Sequence, residues 1–261
     1  MKNQPQNRFP ALLWLPFLLL LATTTFAQHD GQEVVRVIPK NVDAKLRRDA
    51  ARLALRALAD AGALEHQHIV IPEYKIEEIY GVLSLIYKKS ERARAIEKCD
   101  VHTFPDPSID RLIVIFKKSA PWAESIRKGG QMTGRGYLNG LLTKYQLNIE
   151  KLVRWDDAHD ALVLRAEEPV NMAALAVIFH KIEDVVKVET GIPDTTGNDI
   201  RSKCVNGGWE VTYILRFGSH ISGKGKAHTW QFQVMNGNVK FLGESGDPLP
   251  TWMDCAKVDK N

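Results

Sequence analysis

The chain has 261 residues, 35 Lys+Arg against 31 Asp+Glu, and is 44% hydrophobic and 25% charged. Those values lie near the globular average and exclude wholesale disorder, collagen and coiled coil. A formal net charge of +4 is too small to point to a nucleic-acid partner.

In chain order, export comes first. Lys2 and Arg8 make a basic start, Ala11 to Ala22 is an apolar run, and Thr25-Phe26-Ala27 offers small residues for cleavage. Basic n-region, short h-region and small-x-small site together read as a secretory signal peptide over 1–27, with a mature start at Gln28. The alternative is a retained anchor, since Phe9 to His29 carries no Asp, Glu, Lys or Arg. Pro10 and Pro16 interrupt that stretch and argue against a span. The expected location is periplasmic or secreted, with no membrane association after cleavage.

Residues 28–108 read as a short strand plus a helical part. Glu33 to Ile38 has strand composition and is closed by Pro39. Residues 43–60 are rich in Ala, Leu and Arg, with Leu46, Ala50, Leu53 and Ala57 on one face. Arg48, Arg52 and Arg56 form an i, i+4 stripe, which reads as a solvated face. A second helix carries Ile76, Ile79, Tyr80, Leu83, Ile86 and Tyr87 at helical spacing behind Pro72. Val101 to Ser108, with Pro105 and Pro107, reads as a linker.

Residues 109–191 read as an α+β unit. Leu112 to Phe116 is an apolar run and a buried strand. A short helix over Pro121 to Ile126 and one carrying Leu138, Leu141, Leu142 and Tyr145 follow. Ile149 to Trp155 and Ala161 to Ala166 are strands joined by the polar turn Asp156 to Asp160. Asn171 is the N-cap of a helix with Met172, Leu175, Phe179 and Ile182 on one face. Val185 to Glu189 closes the unit. The order β-α-β-β-α-β is that of the ferredoxin-like plait, in which two helices cover one face of a four-stranded antiparallel sheet.

Gly191 to Lys203 reads as a polar loop. Residues 204–261 read as a three-stranded antiparallel meander with a tail: Trp209 to Phe217, His228 to Val234, and Val239 to Leu242 after an Asn236-Gly237 turn. The predicted class is therefore α+β, with a helical N-terminal part, a central plait and a C-terminal β meander.

The three cysteines are Cys99, Cys204 and Cys255. In an exported chain an odd count leaves one unpaired within a monomer. Cys204 and Cys255 bracket the β-rich segment and are the expected disulfide, leaving Cys99 as a buried thiol. No CxxC or comparable ligand cluster points to zinc. No cofactor and no metal site are assigned.

Other candidate chemistry is weaker than its structural reading. Gly243-Glu244-Ser245-Gly246-Asp247-Pro248-Leu249 resembles the nucleophile segment of chymotrypsin-like serine proteases. Glu244 and Asp247 depart from that pattern, and no histidine segment of that family precedes it, so the stretch reads as a turn. His66-Gln67-His68 lacks a third metal ligand. The acidic clusters at Asp156 to Asp160 and at Asp194, Asn198 and Asp199 have turn composition. Lys128-Gly129-Gly130 and Thr133 to Gly136 read as one helix end and the next helix start. Cys99 with His102 lacks the third partner of a thiol nucleophile.

Trp209, Tyr213, Trp230 and Phe232 on the meander are the candidate ligand-binding surface, a flat aromatic face for a glycan or an extracytoplasmic protein. The competing reading, favoured because so small a meander needs large side chains to bury anything, is that they form its core or pack on the plait. No catalytic residue is assigned, so the expected function is an exported, non-catalytic binding or interaction protein. Two alternatives stand beside it. Subtilisin-type propeptides share the plait order, which implies a protease-inhibitory module by topology alone. A hydrolase would use Asp100, His102, Asp106 and Asp110, which cluster in sequence.

Overall fold

Helical and strand patterning leads to six α-helices and eight strands among the described residues. A computed structural model of the chain describes residues 36–60, 68–191, 197–218 and 225–256. The expected signal peptide, the Gln28 start, His66 and Asp194 lie outside the described residues.

Three helices come first: α1 (Lys40–Asp60), α2 (Glu73–Lys89) and α3 (Glu91–Glu97). The described end of the expected first strand, Arg36 to Ile38, does not pair in a ladder. Instead Pro39 contributes its carbonyl to the Asp43 N–H and opens α1. Leu46, Ala50, Leu53 and Ala54 are buried on α1, and Ile76, Ile79, Leu83 and Ile86 on α2. Ser90 ends α2 in an extended conformation, and its side chain then accepts from the Ala93 N–H to cap α3. One serine thereby stops one helix and starts the next.

The middle of the chain runs β1 (Arg111–Lys117), a 3-10 turn, α4 (Glu124–Arg127), α5 (Gly136–Lys144), β2 (Leu147–Arg154), β3 (His159–Ala166), α6 (Met172–Phe179) and β4 (Val185–Glu189). The strands form an antiparallel sheet in the order β2-β3-β1-β4. Leu112, Val114 and Phe116 alternate toward the helices, where they pack with Leu138, Leu142, Leu175 and Phe179. Asn171 caps α6 by accepting from the Ala174 N–H. Between α4 and α5, Gly129 adopts φ +85°, a left-handed conformation that ends the helix at low cost only for glycine.

The C-terminal sheet has four strands: β5 (Asp199–Val205), β6 (Gly208–Phe217), β7 (Lys226–Met235) and β8 (Asn238–Gly246). Their order is β5-β6-β7-β8, all antiparallel. Asn236 and Gly237, at φ +48° and +74°, make the tight β7–β8 turn that the sequence predicts. The meander therefore has one strand more than expected. Asp199, Arg201, Ser202 and Lys203 gave β5 the composition of a loop. An edge strand tolerates that composition, because only Ile200 must enter the core.

The larger difference concerns the core. Residues of α1, α2 and α3 (Leu53, Ile79, Leu83, Ile86, Ile96) share one apolar cluster with Val211, Tyr213, Trp230 and Phe232 of the C-terminal sheet. The helical part and the meander, read as separate segments, are two halves of one core. The β1–β4 unit holds a second core and is inserted between them. Neither the helix pair nor the small sheet buries its apolar face without the other.

The expected Cys204–Cys255 disulfide is not formed. Cys255 is bonded to Cys99, with Cα atoms 5.7 Å apart, and Cys204 is an exposed free thiol. The C-terminal 3-10 turn Asp254–Ala256 returns to the end of α3, where Cys99 lies, while Cys204 sits on β5. The link therefore ties the tail to the helices rather than closing the meander on itself.

Candidate functional site

The arginine stripe of α1 is solvated only in part: Arg48 is exposed, while Arg52 and Arg56 turn inward. Arg48 pairs with Asp110. Arg52 is 7% exposed and donates to Thr103 Oγ1 at 2.7 Å and to the Pro107 carbonyl at 3.2 Å. Burial pulls its pKa below the usual arginine value, against the opposing charge of Asp49. Arg56 donates to the carbonyls of Phe104 (3.0 Å), Asp106 (2.8 Å) and Ile200 (3.0 Å), and to Asp199 Oδ1 at 2.9 Å. Asp199 also accepts from the Phe104 N–H at 2.8 Å. The expected linker 101–108 is thus strapped to α1 by guanidinium forks, which suit planar multidentate contacts. It carries the chain from one core to the other.

Beside it lies a buried charge cluster. Asp49, 2% exposed, accepts from the Thr103 N–H (2.8 Å) and from Thr103 Oγ1 (2.6 Å), and lies 2.8 Å from His102 Nδ1. His102 Nε2 faces Asp100 at 3.2 Å and Glu97 at 3.6 Å. Lys45 reaches the same two carboxylates at 2.6 and 3.4 Å. Burial lowers the pKa of His102, but the hydrogen bond and charge of Asp49 outweigh it and the net shift is upward. Burial holds Glu97 above the usual carboxylate range, while the Lys45 hydrogen bond pulls Asp100 below it.

An Asp–His pair resembles two thirds of a hydrolytic triad, but here the far nitrogen meets carboxylates, not a hydroxyl or thiol. Of the residues suggested for a hydrolase, only Asp100 and His102 meet. Asp110 is taken by Arg48, and Asp106 contributes its carbonyl to Arg56. Cys99 is in the disulfide, which removes the thiol nucleophile. Ser245 lies on β8, its Oγ 2.7 Å from Thr229 Oγ1, in a strand rather than a nucleophile turn. Asp156 closes its own turn through the Ala158 and His159 N–H groups. Among the described residues, no group of three His, Cys, Asp or Glu side chains is arranged to hold a metal ion.

The aromatic face is likewise spent on packing. Tyr213, Trp230 and Phe232 are buried at 5%, 0% and 0% exposure, and Tyr213 meets Phe232 edge-on at 5.7 Å. They point at the helices, so three of the four proposed ligand-binding residues are core. Burial pushes the Tyr213 hydroxyl pKa far above its ordinary value, which keeps it neutral. Only half-buried Trp209 reaches a cavity.

That cavity is a cleft of about 970 Å³, open to solvent, at the junction of the two cores. Leu58 of α1, Val70, Phe104 and Trp209 supply apolar walls, and β5 borders it with Asp199 and Arg201 to Cys204. Its size lies at the upper end of the range usual for ligand sites, which favour such junctions. Sequence reasoning missed it because its walls come from α1, the 101–108 segment, α6 and β5, each unremarkable by itself. No protein-family model, curated protein or solved structure matches the chain. No described helix is long and apolar enough to cross a membrane.

Proposed function

We propose that the chain is an exported, non-catalytic binding protein whose ligand site is the cleft at the junction of the two cores, and that its central unit is a ferredoxin-like plait. The strand order β2-β3-β1-β4 with α5 and α6 packed on the sheet supports the plait. The cleft itself carries the functional reading: it is the place where apolar walls and polar side chains converge. The charge cluster at His102 supports a structural role, since Asp49, Thr103 and Lys45 tie its members to one another, with His102 Nε2 buried and without a hydrogen bond among the described residues. A disulfide between Cys99 and Cys255 is in keeping with an oxidising compartment.

Native mass spectrometry of the chain recovered from its own export compartment tests this. The expected result is a processed, singly disulfide-bonded chain carrying a discrete extra mass, lost in Ala57→Trp, which fills the cleft from α1. A bare chain that no compound of a fragment library stabilises, with Ala57→Trp indistinguishable from the parent, would sink the reading.

A further inference from the structure

The border of the cleft at β5 is a strand edge rather than a sheet face. β5 ends its sheet, and four consecutive residues, Arg201, Ser202, Lys203 and Cys204, all line the cavity. Side chains alternate between faces, so neighbours in sequence line one cavity together only along an edge. The orientation of the main chain follows from Ile200, whose carbonyl accepts from Arg56 at 3.0 Å and so points away from β6. In an antiparallel ladder outward-pointing residues recur at every second position. Ser202 and Cys204 therefore turn their N–H and C=O groups toward the cleft, where no hydrogen bond from either backbone is made among the described residues.

At the edge itself the side chains of Arg201 and Lys203 are basic, while Glu210 lies across the ladder from Lys203, and Asp60 of α1 and Asp106 also line the cleft. Asp199 is neutralised by Arg56 at 2.9 Å. Arg201, whose side chain is 67% exposed, has Asp199 as its one acidic contact among the described residues, at 3.3 Å. Lys203 is exposed and has no ion pair among them. The two cations lie two residues apart on one face of the strand, roughly 7 Å along it. Trp209, half-buried and opposite Cys204 on the other face of the sheet, and Val70, 65% exposed, also line the cleft.

We infer that the occupant of this cleft is an extended acidic peptide segment of a partner protein, added as a fifth strand along β5. Its main chain pairs with Ser202 and Cys204, and acidic side chains at i and i+2 lie opposite Arg201 and Lys203. The inference rests on the cleft being the ligand site and names the class of ligand. Strand addition takes its affinity from main-chain bonds and its selectivity from alternate side chains, and opposite charges directly across a ladder attract. Arg56 and the Phe104 N–H close the edge at Ile200 and Asp199. The added strand therefore lies against the half of β5 nearer Val205.

The test uses the mature disulfide-bonded chain and a blocked seven-residue peptide of alternating valine and glutamate. Two controls accompany it: the same peptide N-methylated at the residues that pair with β5, and a lysine-for-glutamate version. Calorimetry is expected to show binding of the acidic peptide, a loss of at least tenfold on N-methylation, and no binding of the lysine peptide. Amide NMR signals of Ser202 and Cys204 are expected to shift on binding. The double variant R201E/K203E should reverse the preference in favour of the lysine peptide. Equal binding of the N-methylated peptide overturns the inference, as does an unmoved Ser202 and Cys204 while a fragment still occupies the cleft. In both cases the cleft remains the ligand site. Self-association through β5 without peptide overturns the assignment of a partner. Failure of peptides and fragments alike removes the cleft as a ligand site and the inference with it.

Discussion

Asp49 and His102 lie 53 residues apart in the chain and 2.8 Å apart in the fold, the carboxylate of α1 against Nδ1 of the imidazole. The contact is part-buried, and both residues are tied further: Asp49 to Thr103, His102 to Asp100. This pair anchors the segment that leads from the helical core to the inserted sheet.

Its protonation sets a pH dependence. The groups facing His102 are Asp49, Glu97, Asp100 and Lys45. The folded pKa of His102 is raised above its ordinary 6.5, so the protonated ring stabilises the fold. That contribution is complete below 6.5 and is lost as pH rises through the folded value. Glu97, raised above 4.5 by burial, acts in the same direction in its own window. Asp100, lowered from 3.8 by Lys45, acts oppositely, and its contribution is lost as pH falls through its folded value. Urea unfolding across pH should show stability declining above 6.5 in the parent and a flatter profile in His102→Asn. Asp49→Asn should return the imidazole pKa toward or below 6.5 by NMR. An unchanged slope in His102→Asn would refute the assignment.

Arg56→Ala should destabilise the chain by about 3 kcal/mol, because it leaves two part-buried carbonyls, the exposed Asp106 carbonyl and part-buried Asp199 without their cation. Arg56→Lys should recover less than half, since an ammonium cannot fork to several carbonyls at once. Thermal unfolding followed at separate probes in the two cores is the measurement. A single unshifted transition in Arg56→Ala would contradict the strap.

The cysteines make a sharp chemical prediction. Alkylation of the unreduced, denatured chain should label Cys204 alone, and a non-reducing digest should link the Cys99 and Cys255 peptides. Closing a loop with a separation of 156 residues contributes about 5 kcal/mol in the chain-entropy model. Cys255→Ser should therefore lower the unfolding midpoint substantially, while Cys204→Ser leaves it unchanged. Labelling at Cys99 instead would restore the Cys204–Cys255 pairing.

Two tryptophans separate core from surface. Trp230 is fully buried and Trp252 is 73% exposed. Trp230→Ala should cost about 3 to 5 kcal/mol, the loss typical of a large core aromatic. Trp252→Ala should stay within about 0.5 kcal/mol of the parent, as exposed substitutions do. Equal effects in chemical denaturation would mean that the aromatic sheet face is not packed as described.

Much of the secondary structure was readable because its signals are local. The period of α2, the Asn171 cap and the Asn236-Gly237 turn each need only a few neighbouring residues. β5 was not readable, since an edge strand with one core residue carries no alternation strong enough to separate it from a loop. The aromatic residues of β6 and β7 were read correctly as alternating, yet alternation is silent on what covers the apolar face. That cover is α1 and α2, more than a hundred residues earlier in the chain.

By itself the sequence determined the α+β class, most of its elements and their order, because backbone propensity and hydrophobic period act over a turn or a strand. Tertiary structure alone decided which cysteine meets Cys255, why Arg52 and Arg56 face inward, and where a cleft opens. Each depends on contacts between segments that no local pattern connects. Arg56 looks like any surface arginine until Phe104, Asp106 and Ile200 bring their carbonyls to it. A buried carbonyl has to be satisfied, and here the nearest donor lay on a helix whose sequence reads as solvated.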